Sequence, residues 1–285
     1  MVGHVEWVQF ASVQHVPAAG EVVHASGPFE EPAGGGAVAA VQLARLAGGC
    51  VLLTALGSDG HGDASIARLG QLGVEVHAAR LAEPTRRAIT LLDAHGERTI
   101  TTLGSRLEPR AGAGAGGAQP GVTEPAPGWE LLHGRDAVYF TAGDAAALRL
   151  AREGARVLVA SPRAGAALRE GVRLDALVLS GDDRIEQQAA DGLDGSAEVV
   201  VRTEGGRGGS YVTASGASGR WQPAELDAPA LDSYGCGDSF AAGLTYGLAA
   251  GMHLEQALAL AARCGAVCLT GRGPYGRQLQ ADALG

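Results

Sequence analysis

Between residues 136 and 203 one pattern recurs: DAVYF, ARVLVAS, LDALVLS and AEVVVRT are short, continuously apolar runs separated by polar and helix-forming residues. A strand with one wet face alternates apolar and polar side chains. A run without alternation must be covered on both faces, and parallel sheets with crossover helices achieve this. The expected fold class is therefore α/β: a doubly wound, mostly parallel sheet flanked by helices. GGAVAAVQLARLAGG reads as a helix entered through glycines and followed by the strand CVLLTAL. Phe240, Leu244 and Leu248 repeat at helical spacing, and a further helix carries Leu254, Leu258 and Ala261.

Two segments depart from this rhythm. HVEWVQFASVQHVPAAGEVVHA and RRAITLLDAHGERTI mix strand formers with turn signals. They are expected to form a small β lid from discontinuous segments at about 10–32 and 84–103. The Gly/Ala/Pro-rich stretch at about 110–128 is expected to be a mobile surface loop within a single domain spanning 1–285.

Composition removes several function classes. A net charge of −9 argues against a nucleic-acid partner. All 22 basic residues are arginine, which excludes a phosphate loop ending in Gly-Lys-Ser/Thr and excludes Schiff-base chemistry. The most apolar window is broken by Gln42, Arg45 and glycines, so no membrane span is expected, and with no leader pattern the expected location is cytoplasmic. Cys50, Cys236, Cys264 and Cys268 have no C-x-x-C spacing, and the eight histidines form no zinc pattern. GRGPYG at 271–276 matches G-x-G-x-x-G, but too little chain follows it for a dinucleotide unit, so it reads as a turn.

The informative stretch is LDSYGCGDSFAAG, residues 231–243. Its glycines allow close backbone approach, and a helix entry presents free N–H groups and a positive dipole end, which favour an anion. An acid beside an anion site is repelled unless it is there to remove a proton. Asp238 is that acid; its competing role is an ordinary N-cap stabilising by ~1 kcal/mol.

The stretch DSYGCGDSF resembles the C-terminal signature D-T-x-G-A-G-D-x-F of the ribokinase-like (PfkB) carbohydrate kinases, with Asp232, Gly235, Gly237, Asp238 and Phe240 matching and Cys236 replacing a small residue. PAGGGAVAAVQLARLAGG, LTALGSDGHG and VVVRTEGGRGGSYV fall in the family's order. The resemblance implies a ribokinase-like fold and ATP-dependent phosphorylation of a small-molecule alcohol, with Asp238 as general base and the amides of Gly235, Cys236 and Gly237 as anion hole. It places Thr203, Gly205 and Gly208 at the nucleotide phosphates and Ala262 and Gly265 against adenine. Ser180 and Asp183 fall where the family has an Asn-x-x-Glu pair that arranges Mg²⁺ and phosphate through water; a one-place shift would pair Asp183 with Glu186. Asp232 resembles the family's monovalent-cation (K⁺) residue, and dimerisation through the lid is expected.

The acceptor end departs most from the family. Its first strand has G-x-x-N-x-D, where this chain has Glu6 and Val8, and the Asn after the N-terminal glycines falls on Val38. Glu6, Gly34, Gly35, Gly36, Val38 and Asp59 are the candidate substrate-binding positions, with Asp59 equally suited to a turn or cap. The favoured acceptor is a sugar or sugar derivative. Losing polar positions also leaves open a nucleoside or vitamin-precursor kinase, or an idle nucleotide- or metabolite-binding protein.

Overall fold

A computed structural model describes residues 1–112 and 128–284. Residues 113–127 of the expected mobile loop lie outside the described residues. In chain order the first half contains β1 (Glu6–Ser12), β2 (Ser26–Ala33), α1 (Gly35–Ala47), β3 (Cys50–Gly57), α2 (Gly60–Gln71) and β4 (Val74–Leu81). Next come β5 (Arg87–Leu92), β6 (Arg98–Leu103), β7 (Arg135–Phe140), α3 (Ala145–Gly154) and β8 (Ala155–Ala160). The remainder holds β9 (Leu174–Ser180), α4 (Arg184–Ala190), β10 (Ala197–Thr203), β11 (Gly209–Thr213), β12 (Ser218–Trp221), α5 (Cys236–Ala249) and α6 (Leu254–Leu269).

The apolar runs of the second half become the centre of a sheet ordered β12-β11-β10-β9-β8-β7, in which β7 to β10 run parallel. The parallel pair β3–β4 joins it through the N-terminal segment. Val2 bridges Phe140 on one side and Leu53 on the other, with Val2 N donating to Tyr139 O at 3.0 Å and Gly3 N donating to Leu53 O at 3.1 Å. Alternate residues of each run go to opposite cores. Tyr139, Val159, Val178 and Val201 share a core with α1, α5 and α6, whereas Phe140, Leu158, Leu177 and Val200 pack beneath α3 and α4. Each fully buried Leu or Phe contributes about 1.5–3 kcal/mol, so covering both faces is what fixes the order of the layers. Among the described residues no helix is long and apolar enough to cross a membrane.

A second sheet, ordered β2-β1-β5-β6, lies beside the first, with β1 antiparallel to β2 and parallel to β5. It begins at Glu6, ahead of the boundary near residue 10 read from the sequence. The reason is the alternation along β1: Glu6, Val8 and Phe10 are buried while Gln9 is exposed, a period of two that suits a sheet with one covered face.

Candidate active site

Two helices start at this junction, and both are led by glycines with positive φ. Gly34 has φ 87° and Gly235 has φ 83°, a region that residues with a Cβ rarely adopt. Neither α1 nor α5 has a side-chain cap, so their first-turn N–H groups are not consumed by their own side chains. Asp238 lies in the first turn of α5 with its side chain 15 % accessible. A Cβ on Gly35 would sit 3.1 Å from Asp238 Oδ1, and one on Gly36 would strike His4 O at 2.5 Å. The glycines at 34–36 therefore let the start of α1 reach the N-terminal segment and Asp238 together. At Gly237 nothing lies within 4 Å of where a Cβ would be, so the residue borders open space on that side.

The Cys236 thiol donates to Asp232 O at 3.9 Å. The neighbouring Cys268 thiol and burial push its pKa well up, so the sulfur stays protonated. The pKa of Asp238 is also raised, by burial first, against the opposing pull of Arg163. Arg163 follows β8 and donates from Nη1 to Asp238 Oδ1 at 3.3 Å and from Nε to Glu186 Oε1 at 2.5 Å.

Glu186, not the Ser180/Asp183 pair, is the carboxylate joined to Asp238 through Arg163. Asp183 caps α4, its Oδ1 accepting from Ile185 N at 2.8 Å and Glu186 N at 3.2 Å. Ser180 Oγ accepts from Asp182 N at 3.2 Å, while Ser180 N donates to Glu186 Oε2 at 2.8 Å. An Asp at the start of a short helix is captured by the local amides, so the acid one turn further on is free to point inward.

Beyond α5, Thr203 ends β10 opposite Ser180, and Gly205 (φ 54°) has open space at its Cβ position. Gly208 has a packing reason for being glycine, since a Cβ would lie 2.1 Å from Trp221 O. The Trp221 ring stacks on Phe240 at 5.5 Å. Ala262 packs against the core containing Phe240, and Gly265 brings α6 against the start of α5, where a Cβ would sit 3.3 Å from Cys236 O. Asp232 is buried against the turn after α6, with Oδ1 accepting from Tyr234 N at 2.9 Å and Oδ2 from Gly273 N at 2.8 Å. Residues 271–276 form turns and bends, and no strand follows them among the described residues. Among the described residues no group of three or more His, Cys, Asp or Glu side chains could hold a metal ion.

On the β1 side, Glu6 is buried 3.4 Å from Arg86 Nε, and burial raises its pKa against the pull of Arg86 and Arg163. His4 adjoins Gly34. Burial and the nearby Arg106, Arg163 and Arg86 hold its pKa well below the usual value, so it is neutral, and its Nδ1 is buried without a hydrogen-bond partner. Two candidate acceptor residues go elsewhere. Asp59 caps α2, its Oδ1 accepting from Gly62 N at 2.8 Å and Thr85 Oγ1 at 2.7 Å and its Oδ2 from Thr85 N at 2.7 Å, so the loop chemistry consumes it. Val38 is fully buried beneath Gly235, 2.9 Å from where a Cβ there would sit, and so supports the turn. His4, Arg106 and Arg163 escaped sequence reasoning because each is an isolated polar residue outside any motif.

A model of the pfkB family carbohydrate kinases matches residues 1–111 and 174–280. The acarbose 7(IV)-phosphotransferase of Actinoplanes sp. is 38% identical over 77 residues, which span 27% of this chain and only 26% of that relative. Among solved structures, a putative ribokinase from Agrobacterium tumefaciens superposes with a TM-score of 0.76 at 18% identity, covering 99% of this chain and 94% of the other. Arabidopsis thaliana ribokinase complexed with ribose and ATP gives 0.71 at 18% identity, covering 97% and 94%. At such identities the structures establish the ribokinase-like fold.

Proposed function

Because the chain belongs to the pfkB family of carbohydrate kinases, we propose that it transfers the γ-phosphoryl group of ATP to a hydroxyl of a sugar or sugar derivative. Asp238 takes the proton from the attacking hydroxyl, a role worth about 10²–10⁴-fold. The N–H groups of Gly235, Cys236 and Gly237 bind the charge that spreads over the migrating phosphoryl group. The observation that carries this is the meeting of two uncapped, glycine-led helix starts at one partly buried carboxylate.

Thr203, Gly205 and Gly208 form one wall for the nucleotide, with Ala262 and Gly265 on the other. Mg²⁺ bound with the nucleotide would neutralise part of the phosphate charge; Asp183 and Glu186, already engaged with the α4 amides and with Arg163, would meet it only through its bound waters. Asp232 and the carbonyls of the 269–273 turn would hold K⁺. Glu6, neutral His4 and the Gly34–Gly36 backbone bound the acceptor. The printed activity of the Actinoplanes relative supports a sugar-like acceptor. The outward face of the small sheet, with half-exposed Ile89 and Leu103, is the dimer surface.

One observation favours a nucleoside or heterocyclic alcohol as acceptor. Phe10 shares the inward face of β1 with Glu6 and stacks on Phe29 at 4.7 Å, with its edge toward Tyr234. The test is ADP release with sugars, nucleosides and hydroxymethyl heterocycles, comparing wild type with Asp238→Asn. Acceptor-dependent release that the substitution abolishes is expected. Equal background for both proteins with every acceptor would make the chain an idle binding protein. Sedimentation as a monomer would remove the dimer, and equal rates in K⁺ and a bulky organic cation would remove the cation site.

A further inference from the structure

Arg163 lies outside both stretches that match the family model, and no motif singles it out. Its backbone is held on several sides. Ser161 Oγ accepts from Arg163 N at 3.3 Å, Arg163 O accepts from Arg106 Nη2 at 2.8 Å, and Pro162 precedes it. Gly165, two residues on, takes φ 60° and breaks the helical path. The side chain is therefore presented from a rigid turn.

That turn sets one guanidinium between two carboxylates from opposite faces of the main sheet, Glu186 on α4 and Asp238 on α5. The contacts are unequal: 2.5 Å to Glu186 and 3.3 Å to Asp238. The planar fork of an arginine can engage two acceptors at once, which a lysine cannot do in the same way. Both acids are mostly enclosed, with side chains 8% and 15% accessible. Two enclosed like charges this close would drive one to take up a proton unless a cation separates them.

Resting on the kinase reading above, we propose that Arg163 is a positioning residue whose guanidinium fixes Asp238 relative to Glu186 and keeps Asp238 a carboxylate, ready to accept the proton of the attacking hydroxyl. The firm bond goes to Glu186, and the looser one leaves Asp238 able to take a proton. The other groups facing Asp238 do not replace this cation. Burial and Glu186 both raise its pKa, and Arg163 and then Arg98 lower it. Glu6 on β1 is a further acid in the same enclosure, His4 is neutral, and Tyr139 and Tyr234 are protonated, their pKa values raised chiefly by burial.

The first test needs no acceptor. The Asp238 side-chain carboxyl resonance, in ¹³C-aspartate protein and assigned by its loss in Asp238→Asn, is titrated in wild type and Arg163→Gln. Removing an adjacent arginine should move the midpoint up by about 1–3 pH units, and an unmoved midpoint overturns the proposal. In the wild-type protein, for which folding of a variant is not at issue, the Arg163 guanidinium nitrogen resonances should follow the same midpoint; indifference to it overturns the proposal too. The second readout is the pH dependence of ADP release with ATP and D-ribose, or adenosine if ribose gives no turnover. Arg163→Gln should move the acid limb upward and recover at high pH, whereas Arg163→Lys, which keeps a cation, should stay nearer to wild type. A uniform loss at every pH indicates a merely structural role and overturns the proposal. If neither protein shows acceptor-dependent release, the kinase reading itself fails. If Asp238→Asn retains full turnover, Asp238 is not the base and the Arg163 proposal falls with it. If Asp238→Asn abolishes turnover while the Arg163→Gln limb stays put, only the Arg163 proposal fails.

Discussion

Helices α1 and α5 begin differently from α2, α3 and α4. The latter are each capped by an aspartate: Asp59 accepts from Gly62 N, Asp144 from Ala147 N and Asp183 from Ile185 N. Helices α1 and α5 begin at glycines, without a side-chain cap. An aspartate cap stabilises by about 0.5–2 kcal/mol, so leaving both starts bare gives up stability at one place in the molecule. The two bare starts also converge. On α5 the acid stands three residues after the leading glycine, as part of the first turn, where it faces Gly35 instead of capping the helix. Capped starts spend an amide on an aspartate; at the bare starts Gly36 N donates instead to His4 O at 3.1 Å and Cys236 N to Ser233 O at 3.5 Å. The same residue type, aspartate, thus caps its helix at position 59 and lies in the first turn without capping at position 238.

The sharpest way to break this contrast is Asp238→Asn. Loss of a general base should lower kcat by about 10²–10⁴-fold while ATP binding, measured by calorimetry, persists. The fold should not suffer. Burial raises the pKa of Asp238, so the folded state holds this proton more tightly than the unfolded state. The corresponding stability is fully present below the unfolded pKa and is lost as pH rises through the folded value. At neutral pH the neutral asparagine should therefore melt at or above the wild-type temperature. A large fall in Tm would mean that Asp238 is a structural cap like Asp59.

Next in size is Gly235→Ala. A Cβ would lie 2.9 Å from Val38 Cγ1 at a residue with φ 83°, so the turn must shift and its amides with it. Displacing one such donor is expected to cost about 10²–10³-fold in kcat. A variant with full turnover would remove the anion-hole role from this helix start. Smaller again is the pH effect. With its pKa raised, Asp238 should place the acid limb of kcat/KM above the ordinary aspartate range. Below that limb the rate should fall about tenfold per pH unit, as expected for a base that must be ionised. A limb at or below the ordinary value would contradict an enclosed base.

The legibility of the molecule in its sequence follows the same division. Val157 to Ala160 and Ala176 to Leu179 are covered on both faces, and continuous apolar runs announce that burial directly. The start of α5 was legible because two glycines and two acids in a small-residue stretch have few other uses. The acceptor end was not. Glu6 and Val8 lie in a segment expected to belong to the small β layer, but which of its side chains turn inward is fixed only by the pairing of β1, which buries both. Asp59 stayed open between substrate ligand and cap because a loop aspartate after a strand has the same letter in either role; its bonds to Gly62 and Thr85 are those of a cap. Arg163 was invisible because its partners, 23 and 75 residues away in sequence, are brought together only by the fold.

Asp59→Ala is the mildest and most discriminating change, since it tests the other half of the contrast. If Asp59 is a cap, the variant should lose about 1 kcal/mol of stability while kcat stays within about twofold. If it instead grips the acceptor, KM should rise with Tm unchanged. The pH dependence separates the two roles further. Burial raises the Asp59 pKa, but hydrogen bonds from Gly62 and Thr85 prevail and the net shift is downward. Its contribution is therefore present above the unfolded value, about 3.9, and is lost as pH falls through the lower folded value. The stability gap between wild type and Asp59→Ala should persist at pH 7 and narrow on acidification below about pH 4. A gap that persists in acid would mean that the aspartate acts through the packing of its loop and not as a charged cap. The lesson drawn from the bare and capped starts would then hold for α3 and α4 but not for α2.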